Sequence, residues 1–175
     1  MNYIYHMVPK DMEGDTLYPL NTLKDTNPDL YIKKAAKYEG RMHVMENYIP
    51  SLKCMWNDVL HFSPVAPADI KRALIEAGMS ERKMRFFQID PNLLDLKLAT
   101  LYLNNQETMG HNMTLENFTQ LKIEELNKYT EIPQETKDYY FKKFNKGETP
   151  LAFVKIPHVL YKGSINVSNS PIIEV

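Results

Sequence analysis

Trp56-Asn57-Asp58-Val59-Leu60-His61-Phe62-Ser63-Pro64-Val65-Ala66-Pro67 contains the chain's one tryptophan and sets Asp, His and Ser into an otherwise apolar run. Met55 to Phe62 reads as a buried strand, because aromatic and β-branched side chains suit a pleated, packed surface, although its start reads equally as the tail of a helix. Polar groups on such a strand either floor a pocket or satisfy one another, since an unpaired polar group in a core costs roughly 1–3 kcal/mol. Pro67 ends the extended run and suits the first turn of a helix, where its missing N–H leaves no bond unmade. The spacing of Ile70, Ala73, Leu74 and Ala77 predicts the buried face of that helix, and Gly78 its C-terminal stop.

Upstream, Tyr3 to Val8 reads as a first strand stopped by Pro9, and Asp11 to Asp15 as a turn. Leu17 to Leu20 is a short apolar segment. Asn27-Pro28 opens a helix expected over Asp29 to Tyr38, and Met42, Met45 and Ile49 predict a second helix ended by Pro50. Downstream, strands are expected at Met84 to Ile89 and Ala99 to Leu103. Residues 104–117 turn polar and read as a functional loop. Helices are expected at Lys122 to Tyr129 and Gln134 to Asn145. Four strands follow: Leu151 to Ile156, Val159 to Lys162, Ser164 to Val167 and Ile172 to Val175, with Lys162-Gly163 as a hairpin turn. Helices among the central strands and strands gathered at the end predict one α+β domain over 1–175, with a mixed or largely antiparallel sheet.

Composition excludes several classes. The formal net charge is −1 and the lysines are scattered, with Lys33-Lys34 and Lys142-Lys143 reading as solvated helix faces. That is no footprint for general nucleic-acid binding. A lone cysteine forms no internal disulfide, and no apolar run approaches the roughly 20 residues of a membrane span. No signal-peptide pattern opens the sequence, so a cytoplasmic protein that does not bind membranes is expected. His6, His43, His61, His111 and His158 show no close ligand pair, so no metal is expected. The six glycines stand singly, which rules out a P-loop or a Rossmann fingerprint.

Alternation along the first strand puts Tyr3, Tyr5 and Met7 on one face and Ile4, His6 and Val8 on the other. His6 therefore points to an apolar side, either as a core group bonded to a carbonyl or as a neutral imidazole facing a ligand. Ser63 and His61 share a strand face at roughly 6–7 Å, from the rise per residue. Cys54 reads as a small buried hydrophobe.

The Tyr5-His6 pair on the first strand and the later Phe62-Ser63-Pro64 strand resemble the ADP-ribosyltransferase fold. The resemblance implies NAD as cofactor, with His6 meeting the NAD ribose and Tyr5 beside it. It places Ser63 or Tyr102 near nicotinamide and counts His61 among the cofactor-binding residues. It also calls for a late glutamate. No Gln/Glu-x-Glu motif precedes a C-terminal strand, and the acidic candidates there are Glu148 and Glu174, of which Glu174 is taken as catalytic with His6 and Ser63. Tyr-His-x-Val-Pro, Trp-Asn-Asp-Val-Leu-His-Phe and Tyr-Lys-Gly-Ser-Ile are also similar to segments of small uncharacterised proteins of bacilli and relatives. Two other readings stand beside an NAD-dependent transferase that takes a small molecule or nucleotide. One is a non-enzymatic module that binds a protein partner in a bacterial cell. The other is a small hydrolase using Cys54 or Ser63.

Overall fold

The computed structural model describes residues 2–40, 42–104 and 113–175. The helix expected after Pro67 runs Pro67–Glu76 and buries Ile70, Ala73 and Leu74; Gly78, just past it, takes a φ of +123° that side chains resist. The chain begins with strand β1 (Ile4–Met7), the two-residue β2 (Thr16–Leu17), and helices α1 (Leu23–Thr26), α2 (Pro28–Ala35) and α3 (Met42–Met45). The short strands β3 (Tyr48–Ile49) and β4 (Cys54–Met55) precede β5 (Leu60–Phe62). Helix α4 (Pro67–Glu76), β6 (Arg85–Ile89), β7 (Ala99–Tyr102), β8 (Phe118–Gln120), helix α5 (Gln134–Phe144), β9 (His158–Tyr161), β10 (Ile165–Asn166) and β11 (Ile172–Glu174) follow.

The fold is α+β, and every described pairing is antiparallel. Besides the two-stranded pairs β10-β2 and β3-β4, the two larger sheets have the orders β1-β6-β11 and β5-β9-β7-β8. They join where Tyr5 and Ser63 exchange two backbone hydrogen bonds, of 2.8 and 2.9 Å. Ile4, Phe87 and Ile89 from one sheet and Leu60, Phe62, Leu101 and Val159 from the other share one core. A second core gathers Ile49, Cys54, Trp56, Val59, Tyr102 and Leu160. The third lies under α4 and α5, around Ile70, Leu74, Tyr140 and Ile156. Among the described residues no helix is long and apolar enough to cross a membrane.

The strand expected over Met55 to Phe62 is broken by a 3₁₀ turn at Trp56–Asp58. The cause is Asp58. Its carboxylate accepts from Met55 N and from Asn21 Nδ2, both at 2.7 Å, and so closes the turn that a continuous strand would forbid. Asp58→Ala is expected to cost about 2 kcal/mol, because a buried backbone donor and an amide lose their acceptor together. A urea titration of the two proteins measures it, and an unchanged midpoint would contradict the role.

The helix expected through Ile49 stops at Met45, since Tyr48 and Ile49 pair instead with Met55 and Cys54. Lys162-Gly163 is no hairpin turn: β9 pairs with β5 and β7, β10 pairs with β2, and Lys162 N donates to Leu98 O at 2.8 Å. Leu151 to Ile156 forms no strand. Its carbonyls are held by side chains, with Thr136 Oγ1 donating to Val154 O at 3.1 Å and Tyr140 Oη to Ala152 O. The expected helix near Lys122 is a 3₁₀ stretch, Ile123–Tyr129. Strand β8 lies just beyond the polar stretch read as a loop, of which residues 105–112 fall outside the described residues.

Candidate functional site

Strand β1 separates two depressions, as its alternation requires. Tyr5 lines a recess of about 490 Å³ beside α4, with Asp69 and Arg72. His6, on the other side, lines a cleft of about 400 Å³ whose far wall is α1 and α2 and whose floor includes Asn57, Val59 and Leu60. His61 lines the same cleft. The bridge between Tyr5 and Ser63 explains that convergence, because it sets β5 against β1 and brings Phe62 beside His6, their rings edge-on at 5.6 Å.

His6 Nδ1 lies 2.7 Å from Met7 O. A carbonyl only accepts, so Nδ1 is the donor in this contact; in the neutral form of the ring Nε2 is then the acceptor nitrogen. His61 stacks at a tilt on Trp56, with centroids 4.5 Å apart, and Trp56 meets Tyr102 edge-on at 5.6 Å. Behind His61, at 6.4 Å, lies the buried ring of His158, whose Nδ1 donates to Ile156 O at 2.6 Å. Burial pushes His158 down to about 4, so it is neutral at pH 7.

On α2, Leu30 and Lys34 stand four residues apart on one face and line the cleft, as does Tyr38 from the 3₁₀ turn Ala36–Tyr38 that follows. Burial lowers the pKa of Lys34, partly offset by Asp11, which itself pairs with Lys33 at 3.0 Å. Asn57 is 2% exposed, and its Nδ2 has no hydrogen-bond partner among the described residues. Asp11 and Glu13 line the cleft as its carboxylates.

No family model, curated protein or solved structure matches the chain. The site rests on its own geometry.

Of the residues singled out in the sequence, His6 and His61 come together. Tyr5 faces the opposite recess, and burial raises its pKa. Ser63 closes its own turn, donating to Val65 O and accepting from Val65 N, both at 3.1 Å, and does not line the cleft. Tyr102 is fully buried one aromatic layer behind His61, with its hydroxyl unpartnered among the described residues and its pKa raised by burial. Glu174 ends β11, two strands from β1, and pairs with Lys83 at 2.8 Å. Glu148 pairs with Lys143. Cys54 is buried in the second core, and its thiol is pushed up to about 11, so it stays protonated at neutral pH. Among the described residues no three His, Cys, Asp or Glu gather in a way that would hold a metal.

Asn57, Lys34 and Glu13 were not singled out by sequence. Asn57 lay inside the opening stretch, in the segment read as a strand, and only its turn takes it to the cleft floor. Lys34 looked solvated beside Lys33, although its spacing from Leu30 and Tyr38 carried the signal. The cleft thus offers an imidazole acceptor, a buried amide, a half-buried ammonium and apolar walls.

Proposed function

We propose that this chain is an NAD-binding, ADP-ribosyltransferase-like protein whose nucleotide occupies the cleft between β1 and α2. The observation that carries the reading is the convergence of His6 and His61 in one cleft; in its neutral form, with Nδ1 donating to Met7 O, His6 is an acceptor at Nε2. A ribose hydroxyl is the complementary donor, which is the role the family resemblance gives to the first-strand histidine. The volume, about 400 Å³, falls within the range of roughly 300–1,000 Å³ usual for small-ligand sites.

In ADP-ribosyl transfer the bond from ribose C1′ to nicotinamide breaks and nicotinamide leaves with its electron pair. An acceptor hydroxyl or amine then bonds to C1′, and a carboxylate takes its proton. In this reading the carboxylate belongs to Glu13, the glutamate that lines the cleft, and not to Glu174. Ser63 and Tyr102 support the fold.

A thermal-shift titration with NAD, nicotinamide and ADP-ribose tests the reading. At 100 times its dissociation constant a ligand of the folded state adds about 2.7 kcal/mol. For a chain of this size that raises the melting temperature by about 5–10 °C. His6→Ala is expected to abolish the NAD shift while its own melting stays cooperative. A wild-type protein indifferent to all three ligands would overturn the proposal.

A further inference from the structure

We infer that Lys34 is the anion contact of the cleft and makes it selective for ligands that carry a phosphate or pyrophosphate next to a ribose. This deepens the preceding reading and rests on the cleft being a ligand site.

An ammonium drawn out of water needs a compensating charge, because the charged form is otherwise disfavoured. Lys34 is half-buried with burial as the largest influence on it, yet it makes no hydrogen bond or ion pair among the described residues. Asp11 offsets only part of that burial, and its carboxylate pairs with the neighbouring Lys33 at 3.0 Å rather than with Lys34. Lys34 lines the cleft together with Leu30, four residues before it on α2, and with Tyr38, just past the end of that helix.

The buried amide of Asn57, on the cleft floor and without an acceptor among the described residues, is an independent sign. A buried donor left unpaired costs free energy that a ligand oxygen would recover. Lys10, Asp11 and Glu13 stand along the cleft as well. Asp11, paired with Lys33, and Glu13 are the carboxylates that oppose an anion there, and both are exposed to solvent, where their repulsion is screened. An acceptor at His6, an amide at Asn57 and a cation at Lys34 complement a hydroxyl, an oxygen and an oxyanion. A phosphorylated riboside carries all of these. A free base or an unphosphorylated sugar does not.

Isothermal calorimetry with NAD, nicotinamide riboside and inorganic pyrophosphate, on the wild type, Lys34→Met and Lys34→Arg, decides the matter. Lys34→Met is expected to weaken NAD binding about tenfold or more and to abolish any pyrophosphate heat, since charge-assisted bonds are the strong ones. Nicotinamide riboside should bind both proteins alike, and Lys34→Arg should restore the phosphate-bearing ligands. If Lys34→Met binds NAD and pyrophosphate as the wild type does, Lys34 is not the anion contact. If pyrophosphate binds through Lys34 but NAD does not bind the wild type, the anion site stands and the NAD reading falls. If neither binds the wild type, both fall.

Discussion

Between pH 7 and pH 4 the fold is expected to lose about 3 kcal/mol through His158 alone. In the unfolded chain this imidazole has its ordinary value of 6.5, and burial in the native state lowers it to about 4. Above pH 6.5 neither state binds the proton, so the difference contributes nothing. Between 6.5 and 4 the unfolded chain takes up a proton that the native ring refuses, and unfolding gains free energy with each step of acidification. Below about 4 both states are protonated and the loss is complete. The native ring refuses because it is buried beside Tyr102 across the strand pair and against Phe153, and that loss of water outweighs the hydrogen bond to Ile156 O, which by itself would favour the charged form. His158→Gln keeps a donor for that carbonyl and removes the titration. Urea midpoints measured from pH 7 to pH 4 should fall more steeply for the wild type than for His158→Gln, by about 3 kcal/mol over the window. Parallel profiles would contradict the assignment.

Asn104 governs the same corner. It is wholly buried, sits at a φ of +48°, and its Nδ2 donates to Phe153 O at 3.0 Å and Ile156 O at 2.9 Å. Those two bonds hold Leu151 to Ile156 in the looped path that a strand reading misses. Ile156 O also accepts from His158, so one carbonyl ties the clamp to the imidazole behind His61. Asn104→Ala removes both bonds, leaves the Phe153 carbonyl only its long contact with Ile156 N at 3.5 Å and places a Cβ residue at positive φ without asparagine's tolerance for it. The expected loss is about 3 kcal/mol, or roughly 6–12 °C in melting temperature. Asn104→Gly accepts the backbone angle but lacks the amide, so it should recover only the conformational part, about 1 kcal/mol. If Asn104→Gly matched the wild type, the clamp would carry no weight.

The helices were legible where their signals were local. Asn27-Pro28 gave α2 both its cap, with Asn27 Oδ1 accepting from Leu30 N at 3.1 Å, and its first residue. Pro67, the apolar spacing and Gly78 did the same for α4. β1 was legible with its facing, because alternation alone sets His6 opposite Tyr5. What the sequence hid was decided by partners far along the chain. Tyr48-Ile49 continued a helical spacing, yet the hairpin with Cys54-Met55 buries Ile49 completely. Asp58 looked like a polar member of a strand until its carboxylate was seen closing a turn. The convergence of His6 with His61 depends on the Tyr5–Ser63 bridge, a pairing across more than fifty residues that no periodicity announces. Glu174 was chosen for its position late in the chain, but β11 pairs with β6 and so carries it away from β1.

Histidine-selective ¹⁵N–¹H correlation spectra recorded during an NAD titration test the central claim most directly. The ring resonances of His6 and His61 should move together and saturate with one dissociation constant, while His158 keeps the signature of a neutral ring. Spectra in which His6 and His61 stay fixed at saturating NAD would contradict the account.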